Sequence, residues 1–154
     1  MKPIRELITG HPVLSLLSTA TALEAARAMT TNRVGCVMIA DRENRPQGIF
    51  TERDLMTRVV VLGKDPNRVR LEDVMSKEVF VVSPDYSLNE ARLEMRKRHI
   101  RHLPIVEDGK VICVLSLRDL LRADLKDHEQ DLEAMNAYIN GEVEGAPAPP
   151  PQGD

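Results

Sequence analysis

Gly48-Ile-Phe-Thr-Glu-Arg-Asp54 and Cys113-Val-Leu-Ser-Leu-Arg-Asp119 are two versions of one phrase: a short apolar run, a hydroxyl residue, and a carboxylate three positions on. A shift of 65 lays Arg53, Asp54 and Leu55 on Arg118, Asp119 and Leu120. Upstream, a shift of 66 lays Val13 on Val79, Glu24 on Glu90, Ala25 on Ala91, Met29 on Met95, Val34 on Ile100 and Ile39 on Ile105. The one-residue change falls between Asp41–Gln47 in one copy and Glu107–Ile112 in the other, where polar residues predict a loop. Self-similarity at this period marks a chain built from two copies of one supersecondary unit.

Within each copy the hydrophobic period switches in the same order. Val13–Leu16 and its counterpart Val79–Val82 are short apolar runs, the second rich in β-branched residues, and predict buried strands. Ala22, Ala25, Ala26 and Met29, matched by Leu88, Ala91 and Met95, recur at helical spacing on one face. Cys36–Ala40 with Gly48–Phe50, and His102–Val106 with Val111–Leu115, predict two further strands per copy. Leu55, Val59 and Leu62, and then Leu121 and Leu125, resume the helical period. The order is β-α-β-β-α, twice.

Four helix starts share one device: Thr21 before Glu24, Thr51 before Asp54, Ser87 before Glu90 and Ser116 before Asp119. A hydroxyl residue three before a carboxylate satisfies the free N–H groups of a first turn from both directions. The expected division is residues 1–66 for the first copy and 67–127 for the second. Their junction lies in the Gly, Pro and charge-rich stretch from Gly63 to Ser76, with a helical turn at Leu71–Met75. Residues 128–140 continue as a helix, with Leu132, Met135 and Ile139 on one side as a partner surface. Residues 141–154, ending in Ala-Pro-Ala-Pro-Pro-Pro, have a composition that predicts a disordered tail.

Composition narrows the function classes. With 21 basic and 24 acidic side chains the net charge is −3, and direct DNA binding is not expected. No apolar run approaches the length of a membrane span, and Met1–Arg5 leads into no signal-peptide core, so a cytoplasmic location without membrane attachment is expected. Cys36 and Cys113 sit in apolar stretches without CxxC spacing and read as buried, reduced thiols. No nucleophile stands beside a base in the pattern, so no enzyme activity is expected.

These residues resemble the CBS domain family, named after cystathionine β-synthase, whose paired copies form a Bateman module. The resemblance covers residues 4 to 125 and is carried by Gly48-Ile-Phe-Thr51-Glu-Arg-Asp54 and its repeat, by Arg101-His102-Leu103-Pro104-Ile105-Val106, and by the Asp73-Val-Met75 turn. It implies an α+β fold of two βαββα repeats packed with pseudo-two-fold symmetry. It also implies a non-catalytic regulatory module that binds AMP, ADP or ATP, with S-adenosylmethionine as a further ligand, in the cleft between the repeats. No cofactor is required; a homodimer and a regulated protein partner are implied, with occupancy read as a change of conformation or assembly.

By the same resemblance Asp54 and Asp119 take the ribose hydroxyls and Thr51 and Ser116 stand at the helix mouth. Arg53, Arg118, Arg101 and His102 are then phosphate contacts, and Val13, Leu14, Val37, Met38, Val79, Phe80, Leu103 and Pro104 form an apolar slot for the base. The spacing alone is equally that of a capping box, which needs no ligand; Asp, shorter than Glu, is expected to reach back to the cap less well. Exposed arginines and core packing account for many of the other residues. Cys113 replaces the motif's glycine and is expected to crowd the second site, and Gly35-Cys36 opposite Arg101-His102 makes the two sites unequal. Two alternatives stand beside the sensor: a redox- or metal-responsive protein using Cys36, Cys113 and His102, and a scaffold whose sites are vestigial.

Overall fold

The computed structural model describes residues 2–8 and 13–139. A short 3-10 turn at Ile4–Leu7 is followed by β1 (Ser15–Leu16), α1 (Ala22–Asn32), β2 (Cys36–Ala40), β3 (Pro46–Thr51) and α2 (Glu52–Asp54), which runs on as a π-helical segment, Leu55–Val60. After the junction come α3 (Leu71–Val74), α4 (Leu88–Arg98), β4 (His102–Glu107), β5 (Lys110–Ser116) and α5 (Leu117–Ile139). Residues up to Leu117 form one unit and those from Arg118 another, and each is described by itself. The tail expected at 141–154 lies outside the described residues.

Each copy is built around an antiparallel hairpin, β2 with β3 and β4 with β5. In the first copy β1 adds to β2 in parallel. The Thr21 hydroxyl accepts from the Glu24 N–H while the Glu24 carboxylate accepts from the Thr21 N–H at 2.6 Å, so α1 starts on a complete capping box. Both long helices of this unit stop alike: Arg33 and His99, equivalent positions, turn left-handed at φ 53° and 54° and return their N–H groups to the last carbonyls. Ala22, Ala25 and Met29 of α1 meet Val37, Ile39 and Phe50 of the sheet and Val59, Leu71, Val74 and Met75 from the following segments in one core.

The copies exchange their leading segments. The Leu71 N–H donates to the Ala20 carbonyl at 2.8 Å, so the turn that precedes the second copy docks on the first. The Ile4 N–H donates to the Tyr86 carbonyl at 2.9 Å, the equivalent acceptor in the second copy. Arg5 fixes this docking with ion pairs to Asp85 and Glu107, and Ile4 is fully buried. The boundary at residue 66 thus divides the sequence, whereas residues 3–7 pack with the second copy.

Three local expectations need correction. Val79–Val82 forms no strand; only Val82 makes a parallel bridge, to Ile105. In the first copy the Met38 N–H donates to the Leu14 carbonyl at 2.9 Å. The residue at Met38's position in the second copy is Pro104, which has no N–H to give. The first strand of copy one is likewise only Ser15–Leu16, with Leu14 joined by that one bond. Finally, Leu62 leaves the packed face: the wind after Asp54 is π-helical, Val61 N–H reaching the Met56 carbonyl, and Leu62 is 60% exposed while Val59 alone is buried there.

Candidate functional site

The corner from β3 into α2 holds the first phrase. Thr51 is extended, its hydroxyl accepts from the Asp54 N–H at 3.3 Å, and Asp54 Oδ2 accepts from the Thr51 N–H at 2.9 Å. The shorter acid therefore does close the capping box, contrary to the expectation for Asp, because the extended Thr51 brings its N–H to the first turn. The Thr51 hydroxyl also donates to Asp54 Oδ2, at 3.1 Å. The other oxygen, Oδ1, lies 3.5 Å from Arg58 Nε. Asp54 is buried and Arg53, next to it, is exposed.

Arg58 escaped the sequence reading, although its i, i+4 spacing from Asp54 was the signal that pairs charges on a helix. It also donates through Nη1 to the Val74 and Met75 carbonyls at 3.2 and 2.9 Å, which caps the end of α3. One guanidinium thus joins the candidate carboxylate to the turn that opens the second copy.

The second copy contributes His102 to the same neighbourhood. A side chain added at Gly35 would stand 3.2 Å from His102 Nε2 and 3.4 Å from Glu52 Cδ, so the imidazole of one copy and the first helical residue of the other both approach Gly35. The copies are built alike here: the Glu52 N–H donates to the Gly35 carbonyl at 3.0 Å and the Leu117 N–H to the Arg101 carbonyl at 2.9 Å. Arg101 is exposed and His102 half-buried. Ser116 pairs with His102 across the hairpin. Asp119 is half-buried and Arg118 exposed in the first turn of α5.

Strand alternation divides the residues expected for the apolar slot. Val37 belongs to the core of the first copy, and Met38, its neighbour on β2, points to the opposite face of the strand. The same alternation separates Leu103 from Pro104, so at most one of each pair faces a given ligand. All four are buried, while Val13, Leu14, Val79 and Phe80 are half-buried. The Phe80 ring is covered by the Arg98 guanidinium 4.0 Å above it.

Gly48 has a packing reason of its own. A Cβ there would meet Met75 Sδ at 2.6 Å and the Ser76 carbonyl oxygen at 2.9 Å, where Ile49 and Ser76 exchange backbone hydrogen bonds. The glycine admits the junction turn to the sheet, and Cys113 at the equivalent position is buried. Both thiols are buried, and burial, helped by the Glu52 charge, pushes the Cys36 thiol up to about 12. Among the described residues no three His, Cys, Asp or Glu side chains gather as metal ligands, and no helix is long and apolar enough to cross a membrane.

An uncharacterized protein of Methanopyrus kandleri is 41% identical over 121 residues, covering 78% of this chain and 59% of its own length. A mitochondrial CBS domain-containing protein of Arabidopsis thaliana is 30% identical, covering 79% of this chain and 61% of its own. The chain therefore spans about three fifths of these relatives. The structure of a CBS domain protein from Pyrobaculum aerophilum complexed with AMP is 30% identical, covers 77% of this chain and 89% of that one, and superposes with a TM-score of 0.69. The CBS domain model matches twice, at residues 4–61 and 71–126, on the two copies described above, and the chain belongs to the CBS domain family.

Proposed function

We propose that this chain is a non-catalytic regulatory module that binds an adenosine nucleotide, AMP, ADP or ATP, between its two copies. Its ligand sits against Thr51, Asp54 and His102 at one site and against Ser116 at the equivalent point of the second copy. S-adenosylmethionine is the further candidate of the same chemistry. The carrying observation is the approach of His102 from the second copy to Gly35 of the first, which sets a phosphate-seeking imidazole beside the carboxylate corner. Kinship supports it, since the Pyrobaculum relative is a complex with AMP. Arg101 and Arg118 are exposed and free to turn toward phosphate on the surface, where a charge-assisted hydrogen bond forms without burying the cation.

In this reading the protein is cytoplasmic and a homodimer, and a second protein reads its occupancy. Asp54 holds the ribose diol with the oxygen that otherwise faces Arg58, while Oδ2 keeps the helix capped. Ligand binding then competes with the Asp54–Arg58 pair and loosens the hold of Arg58 on α3, which couples occupancy to the junction turn. The redox alternative is weakened by the burial and raised pKa of Cys36, since the thiolate is the reactive form.

Calorimetric titration of the purified chain with AMP, ADP, ATP and S-adenosylmethionine tests the reading. Saturable binding of at least one is expected, lost in Asp54→Ala and weakened in Asp54→Asn, which keeps a cap acceptor and so separates ligand contact from folding. Absence of heat with all four ligands sinks it.

A further inference from the structure

His102 and Glu52 come to Gly35 from different copies, Nε2 to 3.2 Å and Cδ to 3.4 Å of the point where a Cβ would stand. The carboxyl carbon therefore lies within about 7 Å of the imidazole nitrogen, inside one Debye length at physiological salt. Glu52 is an exposed residue, yet its charge reaches inward, adding to the burial that raises the pKa of the Cys36 thiol. A phosphate held by His102 thus stands beside a fixed negative charge, which opposes each further phosphate on the same ligand. The acid is not needed to start the helix, because Thr51 and Asp54 complete the capping box between themselves.

The second copy carries the opposite charge at the same points. The Glu52 N–H donates to the Gly35 carbonyl at 3.0 Å and the Leu117 N–H to the Arg101 carbonyl at 2.9 Å, so Gly35 corresponds to Arg101 and Glu52 to Leu117. A glycine and an acid stand in the first copy where a cation and an apolar residue stand in the second. Arg53 does not offset this difference, since Arg118 holds the matching place in the second phrase. The two corners are therefore unlike in sign as well as in shape.

We propose that Glu52 is the specificity-determining residue of the first corner, setting it for an adenosine ligand of low negative charge, a monophosphate or the cationic S-adenosylmethionine, against di- and triphosphates. The inference rests on the nucleotide reading above and ranks the ligands within it. Its test is calorimetric titration of the full chain and of Glu52→Gln with AMP, ATP and S-adenosylmethionine, without magnesium. Glutamine keeps the shape of the side chain and removes its charge. ATP should bind the variant about tenfold more tightly or better, AMP should gain less, and S-adenosylmethionine should lose affinity. The gain for ATP should shrink at high salt. Opposite signs for an anionic and a cationic ligand of the same base and sugar do not arise from a loosened fold, which weakens both. Glu52→Leu, which installs the residue of the second copy, should behave as Glu52→Gln does. Unchanged ATP affinity in both variants, or ATP and S-adenosylmethionine moving in the same direction, overturns the proposal while the nucleotide reading stands. A wild-type chain that binds none of the three ligands sinks that reading, and this inference with it.

Discussion

Arg58 stands one helical turn beyond Asp54, its Nε 3.5 Å from the carboxylate, while its Nη1 holds the Val74 and Met75 carbonyls. The pair therefore links a strand-to-helix corner to the turn that enters the other half of the repeat. The carboxylate is largely buried and the guanidinium about half exposed, so the charge pair itself contributes modestly. The carbonyl cap contributes the rest, because a charged donor to two terminal carbonyls is hard to replace with water in place.

Replacing Arg58 by Met retains the aliphatic stem and removes every one of these hydrogen bonds. We expect a loss of about 1.5–3 kcal/mol in stability, the range for hydrogen bonds involving a charged group. If Arg58 competes for Asp54 Oδ1, the affinity for the adenosine ligand rises several-fold in the same variant. Urea unfolding and calorimetric titration read the two effects separately, and a fall in affinity would mean that Arg58 holds the ligand itself.

Gly48→Ala should be costly in the first copy. The new methyl would meet Met75 Sδ and the Ser76 carbonyl oxygen inside ordinary contact distance. The thioether is flexible and can swing away, but the carbonyl belongs to a backbone bridge and cannot. Overpacking of this kind costs about 1–3 kcal/mol. Adding Met75→Ala to Gly48→Ala should restore only part of it in thermal unfolding; complete restoration would show that the side chain, not the backbone, sets the limit.

The docking of residues 3–7 on the second copy gives a third expectation. Ile4 is fully buried, so Ile4→Ala should destabilise by about 2–5 kcal/mol despite its place near the start of the sequence. Arg5→Ala removes only exposed, solvent-screened ion pairs to Asp85 and Glu107 and should destabilise far less than Ile4→Ala. Hydrogen exchange should show the loss in Ile4→Ala concentrated around Tyr86 to Leu88, where this segment bonds. Uniform exchange across both copies would contradict the exchange of segments.

The repeat, the two hairpins and the long helices were legible because each depends on local period and on caps within a few residues. The absence of a strand at Val79–Val82 was also written in the sequence, at Pro104, but only a paired register reveals which N–H is missing. The candidate site was harder. Thr51 and Asp54 announce a capped corner whether or not a ligand binds, and a repeat phrase cannot say which oxygen is spare. Gly48 answers to Met75 and Ser76, and Gly35 to His102; both relations cross between segments far apart in the chain, so no local pattern carries them. Alternation along β2 sets Val37 and Met38 on opposite faces, and that rule needed no coordinates.

Cys36 provides a pH test of the packed hairpin. Its thiol is pushed from the usual 9.0 to about 12, first by burial and then by the Glu52 carboxylate. The folded chain therefore keeps the proton through a window, from about 9 to about 12, in which the unfolded chain has lost it. Its contribution is complete below that window and declines as pH rises through it, at about 1.4 kcal/mol per pH unit. Cys36→Ala removes this slope, so the difference in unfolding free energy between wild type and variant should shrink or reverse from pH 9 upward. Iodoacetamide at pH 8 should label Cys36 slowly in the native protein and rapidly in denaturant. Rapid native labelling would place a thiolate at this position and revive the redox reading that its burial disfavours.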